Sequence, residues 1–551
     1  MKMRRLFFGL VVLGFLIVLL LGWGLKSGFF GSPSIALNRP APLPQDPWVK
    51  VYMNQNQARG ADYTEPYRQI TRPGDDLEQI MVEAINQGQR RIDVAIQEFR
   101  LPRLAQALAQ RRQGGVEVRV ILENLYSRPW STYSAAEIEQ LDERQQNRYR
   151  EFMALADQNQ DGQLSVEEIN QGDALVILKN AGIPVIDDTA DGSRGSGLMH
   201  HKFILVDDAT VVTGSANFTT SGVHGDFYNP ESRGNANNLV RINSEAIANL
   251  FRQEFDLMWG DGPGGQPDSL FGLQKPYRPP QRVKVGNSTI TVQFSPTSPT
   301  RPWTESTNGL IGQTLQQARD SVKLALFVFS EQFITNILEE RSQANVSIQA
   351  LIDPGFAYRY YSEALDMMGV ALLHNCQEEA NNRPWANPIQ TVGIPLLPRG
   401  DNLHHKFGVM DAQTVITGSH NWSRAANHTN DEVVLVINNP VVAAHYEREF
   451  DRLYSRSNLG LPLFVQERIA RAEENCPSPL PGAATPSVGG LVNVNRASQA
   501  ELETLPGIGP ALAGRIIEAR QEQPFRSLED LERVRGIGPV VRQNLVGKVT
   551  W

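Results

Sequence analysis

Two eighteen-residue stretches of the chain carry the same polar residues at the same spacing. Residues 200–217 read HHKFILVDDATVVTGSAN, and residues 404–421 read HHKFGVMDAQTVITGSHN. Each holds a His, a Lys two positions on, an Asp five further, then Gly-Ser-x-Asn, and the copies lie 204 residues apart. The polar residues are fixed while the apolar ones drift, which packing alone does not require. Histidine attacks phosphorus or moves a proton near neutral pH. Lysine supplies positive charge, and Ser and Asn add neutral donors. Phosphodiester cleavage needs a nucleophile, a proton donor for the leaving oxygen and positive charge around the phosphoryl oxygens. One copy supplies one histidine; two copies supply a nucleophile and an acid. The candidate site is therefore two half-sites: His200, Lys202, Asp207, Ser215 and Asn217, and His404, Lys406, Asp411, Ser419 and Asn421.

Strand alternation puts His200 and Lys202 on one face, and His404 and Lys406 likewise. His201 and His405 then point the other way and read as packing or supporting residues. A zinc centre fits less well, because the lysine sets a cation among the prospective ligands and no Cys or carboxylate completes a set. NFT at 217–219 and NWS at 421–423 match glycosylation acceptors, and read as by-products of the Gly-Ser-x-Asn pattern.

The signature HxKx4Dx6GSxN is complete in both copies, through Gly214 and Gly418, and resembles that of the phospholipase D superfamily. With the repeats around it the resemblance covers residues 48–470. It implies that the two motifs meet between two lobes of one chain. It also implies that one His forms a phosphohistidine, the other protonates the leaving group, and no catalytic metal takes part. Carried over by motif, His200 is the nucleophile and His404 the acid. The family pattern includes a downstream acid that orients a histidine. Glu432, in NDEVVLVIN, fills that place in the second lobe, whereas Asn237, in NANNLVRIN, stands there in the first. The two halves are thus unequal.

The elements that carry the motifs also repeat. VKVYMN (49–54) matches ITVQFS (290–295), and residues 75–99 match 309–329 in running from helical spacing into strand alternation. VEVRVILEN (116–124) pairs with NVSIQALID (345–353), and GIPVIDD (182–188) with GVALLHN (369–375). Strands alternating with helices predict an α/β sandwich in each of two lobes. Pro- and Gly-rich stretches divide the chain into a linker at 27–47, lobe 1 at 48–259, a linker at 260–282, lobe 2 at 283–475, a linker at 476–490 and a tail at 491–551. Ile92 aligns with Val322 at an offset of 230 while the motifs are offset by 204, so lobe 1 holds 26 extra residues, within 125–175.

That insertion contains DQNQDGQLSVEE at 157–168. Asp157, Asn159 and Asp161 take loop positions 1, 3 and 5, Gly162 the sharp turn, and Gln163 offers a backbone carbonyl. Ser165 acts through water, and Glu168 gives a bidentate carboxylate. Residues 139–156 suit an entering helix, and 165–172 begin an exiting one. The loop is similar to an EF-hand, and the ion expected is a structural Ca2+.

The tail repeats LPGIGP (505–510) as VRGIGP (534–539). Gly507, Ile508 and Gly509, with Gly536, Ile537 and Gly538, form turns whose free N–H groups can hold a phosphate at the next helix start. The tail resembles the tandem helix-hairpin-helix module of the exported competence DNA receptor, an all-α fold that implies sequence-independent DNA binding. Arg515, Arg535, Arg542 and Lys548 add charge near the turns. Eight Arg or Lys against seven Asp or Glu leave the tail at +1, so its electrostatic grip is modest.

With 551 residues the chain exceeds one ordinary core, and a formal charge of −8 excludes a generic polyanion binder. Residues 6–25 are uncharged and long enough to span a membrane as a helix. Lys2, Arg4 and Arg5 precede the run, so the N-terminus is expected in the cytoplasm and the rest outside it. An uncleaved anchor over residues 1–26 fits better than a cleaved signal peptide, whose apolar core is shorter. Cys376 and Cys476 lack metal-site spacing; a disulfide and two free thiols both stay open. Three functions are compatible with these features: a nuclease, a phospholipase D or cardiolipin-type lipid hydrolase or transferase, and a DNA-tethering or uptake protein.

Overall fold

The structure is a computed structural model that describes residues 39–193, 195–379, 381–476, 492–497, 502, 505, 508–534, 536–538, 541–542, 545 and 548–551. The apolar run at 6–25 lies outside the described residues. Among the described residues no helix is long and apolar enough to cross a membrane. The chain forms two compact units: residues up to 357 with 391–459, and 358–390 with 460–551.

The first unit holds two sheets of one design. In lobe 1 the strands are β1 (Val49–Met53), β2 (Arg91–Ile96), β3 (Glu117–Leu122), β4 (Val185–Asp187), β5 (Lys202–Val206), β6 (Thr210–Gly214) and β7 (Asn238–Asn243), in spatial order β1-β7-β6-β5-β2-β3-β4. In lobe 2 they are β8 (Gln281–Val285), β9 (Ser288–Phe294), β10 (Ser321–Leu326), β11 (Ser347–Ile352), β12 (Val392–Pro395), β13 (Lys406–Met410), β14 (Thr414–Gly418), β15 (Val433–Asn438) and β16 (Ser457–Leu459). Their order is β8-β9-β15-β14-β13-β10-β11-β12-β16, the lobe 1 order with one strand added at each edge. β2, β3 and β4 run parallel, as do β10, β11 and β12, while the motif strands β5 and β13 are antiparallel to β2 and β10. The central strands are apolar on both faces because helices cover one side and the other lobe the other. The outer side of lobe 1 packs on α1 (Leu77–Asn86) and α2 (Pro102–Gln113) through Leu77, Met81, Leu104 and Leu108.

Between the lobes lie α3 (Glu245–Trp259) and its counterpart α4 (Pro440–Tyr454). Ser244 caps α3 by accepting from Ile247 N; Asn439 caps α4 by accepting from Val441 N, with Pro440 in the first turn. Phe251 and Phe255 of α3, with Tyr446 and Phe450 of α4, recur four residues apart and join both sheets in one core.

Three expectations are corrected here. The lobe 2 partner of β4 is β12, which pairs with β11 through Val392 and Gly393, and 369–375 lies instead in an excursion of the second unit. Val185 of β4 and Val392 of β12 take equivalent places, opposite Val120 and Ala350. Residues 260–282 are no free linker. Phe271 and Lys275 are buried, and Asp431 accepts from Gly272 N at 3.0 Å and pairs with Lys275 at 2.7 Å. The expected tether at 27–47 is docked from residue 39 on: Arg39 pairs with Asp62 at 2.6 Å, and Asn439 donates to Asp46 at 2.9 Å.

In the second unit Cys376 and Cys476 form a disulfide that closes 100 residues. The tail has its own core of Val494, Ile508, Leu512, Ile516, Phe525, Leu531, Val534 and Ile537 around α5 (Pro510–Glu522). It also has a short parallel pair, Val492–Asn493 with Val549–Thr550, absent from an all-α reading.

Candidate active site

Each motif strand begins at a bridge to the opposite lobe. His200 N donates to Asp431 O at 3.0 Å and His404 N to Ala236 O at 3.1 Å. The side chains cross over as well. His200 Nδ1 lies 2.6 Å from Glu432 Oε2 of lobe 2, and His404 Nδ1 lies 3.0 Å from Asn237 Oδ1 of lobe 1. Both histidines are buried, at 5% and 9% exposure, so neither orienting bond competes with water.

The second bond fixes a tautomer. Asn237 Nδ2 donates to Gly222 O at 2.7 Å, and Asn237 Oδ1 accepts from Ser215 Oγ at 2.7 Å. The amide oxygen therefore faces His404, Nδ1 carries the proton, and Nε2 is left for chemistry. Glu432 imposes the same tautomer on His200, with a negative charge added. Burial, together with the ammonium groups of Lys202 and Lys406, holds both histidines well below the usual histidine range. That disfavours the charged ring in the free protein; an anionic substrate offsets the lysines, and His404 then takes up the proton it gives the leaving oxygen while His200 keeps its lone pair.

Lys202 Nζ donates to His200 O at 2.9 Å and Gln97 Oε1 at 3.3 Å; Lys406 Nζ donates to His404 O at 2.7 Å. Asn217 Nδ2 reaches the same Gln97 oxygen at 3.2 Å. Among the described residues, Asn217 Oδ1 and Asn421 Oδ1 are buried with no hydrogen-bond partner. Ser215 accepts from Asn238 N at 3.0 Å and Ser419 from Val433 N at 3.1 Å, so each serine ties its motif to the strand behind it. His201 and His405 point to the rear, to Glu254 at 3.2 Å and Glu449 at 3.0 Å, as alternation predicts.

Burial pushes the Lys202 ammonium down to about 7, against the pull of Glu432 and Glu123. If the cation holds the phosphoryl oxygens, kcat/KM falls as pH rises through about 7, because the free protein loses that charge. The kcat limb lies higher, since bound phosphate favours the ammonium. A profile flat from pH 6 to 9 removes Lys202 from that role.

Asp207 and Asp411 are not brought to the site. Each follows the far end of its motif strand, about 15 Å from the lysine at strand rise. Asp207 and Asp208 have φ of +52° and +59° in a tight turn between β5 and β6. The Asp207 carboxylate collects the N–H groups of Gln89, Arg90 and Arg91 at 2.7–3.0 Å, and Asp411 those of Arg319, Asp320 and Ser321 at 2.8–2.9 Å. These aspartates lock the turn to the start of the neighbouring strand, a structural task that spacing alone does not separate from a catalytic one.

Sequence reasoning missed four residues at the site. Gln97 faces Lys202, while at the equivalent position of lobe 2 Phe327 stacks edge-on to His404 at 4.8 Å and lies 4.9 Å from Lys406 Nζ. Aligning IDVAIQEF with VKLALFVF pairs the two. Glu123 and Asp353 directly follow β3 and β11 and accept from Met199 N at 2.5 Å and Leu403 N at 2.8 Å, holding the residue before each histidine. Burial lifts their carboxyls to about 7 and about 6.

The insertion braces this floor. Its helix α6 (Glu143–Ala156) brings Arg148 to Glu98 at 3.2 Å and Glu151 to Thr220 Oγ1 at 2.8 Å, beside Gln97 and Asn217. After it come the 157–168 loop and α7 (Val166–Gly172), so the expected helix–loop–helix is formed. Gly162 has φ +81°, as its turn position requires. Asp157 accepts from Gly162 N at 2.9 Å, Asn159 from Asp161 N and Asp161 from Gln163 N at 2.8 Å. Glu168 turns back to Gln158 N at 3.1 Å and Ser165 Oγ at 2.7 Å. The donors are of the kind calcium takes. Among the described residues, however, no three His, Cys, Asp or Glu side chains converge as an ion cage.

In the tail, Ile508 is buried and Gly509 caps α5; a Cβ on Gly509 or Gly538 would meet no atom of the described residues within 4 Å, and Gly536 has φ +108°. Gly509 and Gly538 thus have open space on their Cβ side among the described residues. Arg542 pairs with Glu532 at 3.0 Å and Lys548 is exposed; Gly507 and Arg535 lie outside the described residues.

Residues 81–259 and 311–454 match the family described as "Cardiolipin synthase, PLD-like domain", and residues 488–550 the "Helix-hairpin-helix motif". The chain is 28% identical over 169 residues to the mitochondrial cardiolipin hydrolase of Xenopus laevis, covering 30% of this chain and 70% of that one. It is 26% identical over 155 residues to the Mus musculus counterpart, covering 28% of this chain and 60% of that one. The solved phosphatidylserine synthase of Haemophilus influenzae Rd KW20 is 12% identical, with a TM-score of 0.46, over 79% of this chain and 95% of that one. With more than half its length matched in two parts, each bearing one histidine-lysine motif, the chain belongs to the PLD-like family and carries a helix-hairpin-helix motif at its C-terminal end.

Proposed function

We propose that this chain is a phosphodiesterase that cleaves DNA outside the cytoplasm while anchored in the membrane by residues 6–25. The reciprocal pairing of His200 with Glu432 and His404 with Asn237 carries the catalytic part of the reading. His200 Nε2 attacks phosphorus as the bond to the leaving oxygen breaks, and His404 gives that oxygen its proton. Water, deprotonated by His404, then displaces the imidazole. Lys202 and Lys406 hold the phosphoryl oxygens throughout. A second reading, hydrolysis or transfer at a phospholipid, is favoured by the names of the Xenopus and mouse relatives. The DNA-tethering reading leaves two complete half-sites without a task.

The helix-hairpin-helix motif supports DNA as the polymer. Contacts from turn N–H groups to phosphates ignore sequence and weaken with salt. Gly509→Asp with Gly538→Asp places two carboxylates where no described residue comes within 4 Å of the new Cβ, away from the tail's core. The double variant is expected to raise the KM for long DNA about tenfold at low salt and to leave a short phosphodiester untouched. Equal KM values on long DNA would turn the assignment toward lipid.

We also propose that the 157–168 loop binds calcium, with Glu168 exchanging its bonds to the loop backbone for the ion. Glu168→Gln keeps the cap on α7, since Gln also serves in a capping box, but removes one ligand charge. Calcium affinity by calorimetry is expected to fall at least about tenfold, and the calcium-dependent rise in melting temperature to disappear. Wild-type protein that takes up no calcium at millimolar concentration would refute the site.

A further inference from the structure

The rear-facing histidines expose a second asymmetry between the lobes. A glutamate ten residues into each central helix holds one of them: Glu254 of α3 holds His201, and Glu449 of α4 holds His405. Glu254 is closed in by Lys275 and by Arg278, the latter at 2.8 Å. Glu449 is held by Arg452 at 2.7 and 2.8 Å, and beside that pair lies a cavity of about 620 Å³. Its walls are α4 and the residues just after it, the segment following β1, and residues 40–45.

The lining is cationic. Arg448, Arg452 and Arg456 recur every fourth residue along one side of α4 and its C-terminal end, and Arg59 lies across from them. Four guanidinium groups face two carboxylates, Asp75 and Glu449. Arg448 donates to Ala41 O at 2.8 Å and His445 meets Pro44 O at 3.0 Å, so this wall also fastens the 40–45 segment. Burial lifts the Asp75 carboxyl and lowers the Arg448 guanidinium. The volume falls in the range of small-molecule sites, and planar guanidinium forks match phosphate oxygens.

We propose that this cavity binds a phosphate-bearing small molecule or headgroup, at a site separate from the catalytic histidines. Guanidinium groups of Arg59 and Arg456 take the phosphate, with Arg448 behind them. The cavity shares Glu449 with the strand that carries His404. An occupant therefore competes for Arg452 with the carboxylate that fixes His405. Such an occupant would bind whichever phosphodiester the catalytic centre cleaves.

The test is calorimetry on the full-length protein in a non-ionic detergent, with inorganic pyrophosphate and dihexanoyl-phosphatidylglycerol as probes. The catalytic lysines also attract phosphate, so wild type is expected to show two sites. Arg59→Glu with Arg456→Glu, both at exposed positions, is expected to lose one site by at least tenfold in affinity and to keep its melting temperature and its turnover of a short phosphodiester. Tighter binding of the lipid than of pyrophosphate at the lost site identifies a headgroup; the reverse identifies a soluble phosphate. A single site in wild type, or two sites surviving in the double variant, overturns the proposal.

Discussion

Alanine at His200 is expected to lower phosphodiester turnover by about 10⁴-fold or more, and alanine at His404 by a similar factor on a substrate with a poor leaving group. The two losses differ in kind. Without His200 no phosphorus–nitrogen bond forms, and rapid quenching traps no phosphoprotein on any substrate. Without His404 the first step still proceeds when the leaving group needs no proton, so a nitrophenyl phosphodiester gives a burst and a trapped phosphohistidine. Both side chains are almost fully buried yet make few bonds: His200 to Glu432, His404 to Asn237 with a ring contact to Phe327. Loss of either leaves a small polar void rather than a broken core, and the melting temperature should move by only a few degrees. Trapping the phosphoryl group on the His200→Ala protein would reverse the assignment of nucleophile and acid.

The chemistry was legible because it is written twice. A single His-x-Lys is a common accident; two copies with Gly-Ser-x-Asn at fixed distances leave little but a bipartite site. What the copies could not reveal was which of their residues face the substrate. Asp207 and Asp411 share the spacing of the histidines because the hairpin they close has a fixed length, and their partners are backbone groups that no sequence pattern marks. The crossing of Glu432 to His200 was open for a related reason. An acid shortly after a motif can serve either lobe, and only the bridges at Asp431 and Ala236 decide that it serves the opposite one.

Segment boundaries were read less well than motifs. Residues 260–282 have the glycine and proline content of a linker, yet Lys275 and Gly272 bind Asp431, one residue before Glu432. Polar composition cannot tell a solvated tether from a strap whose cations answer buried carboxylates. The equivalence of β4 and β12 was hidden by unequal excursions before each strand: 62 residues separate β3 from β4, and 39 separate β11 from β12. An offset measured across such excursions slides onto the wrong apolar run, 369–375.

Glu432→Gln is expected to lower kcat by about 10²–10⁴-fold, the scale seen when a carboxylate that orients a catalytic histidine becomes an amide. Glu432 is fully buried, with Oε2 2.6 Å from His200 Nδ1 and Oε1 3.2 Å from Asn430 Nδ2. It sets the tautomer that leaves Nε2 with its lone pair. When that lone pair bonds to phosphorus the ring becomes cationic, and the carboxylate beside it lowers the energy of that state. Glutamine keeps the shape, but it either accepts without charge or offers an N–H that drives the ring to the wrong tautomer. His404 has the opposite need, because it must release a proton to the leaving oxygen. Asn237 orients it without a charge that would hold the proton back. Asn237→Asp should therefore raise the pKa of His404 and slow expulsion of poor leaving groups most, while phosphohistidine still forms on a good one. The two variants are to be compared by rapid quench on a nitrophenyl and an alkyl phosphodiester. Slow phosphohistidine formation in Glu432→Gln on both substrates, against a defect confined to the alkyl substrate in Asn237→Asp, is the result that assigns attack to His200 and protonation to His404. Turnover within about threefold of wild type in Glu432→Gln would mean that the charge at this position is not what divides the two roles.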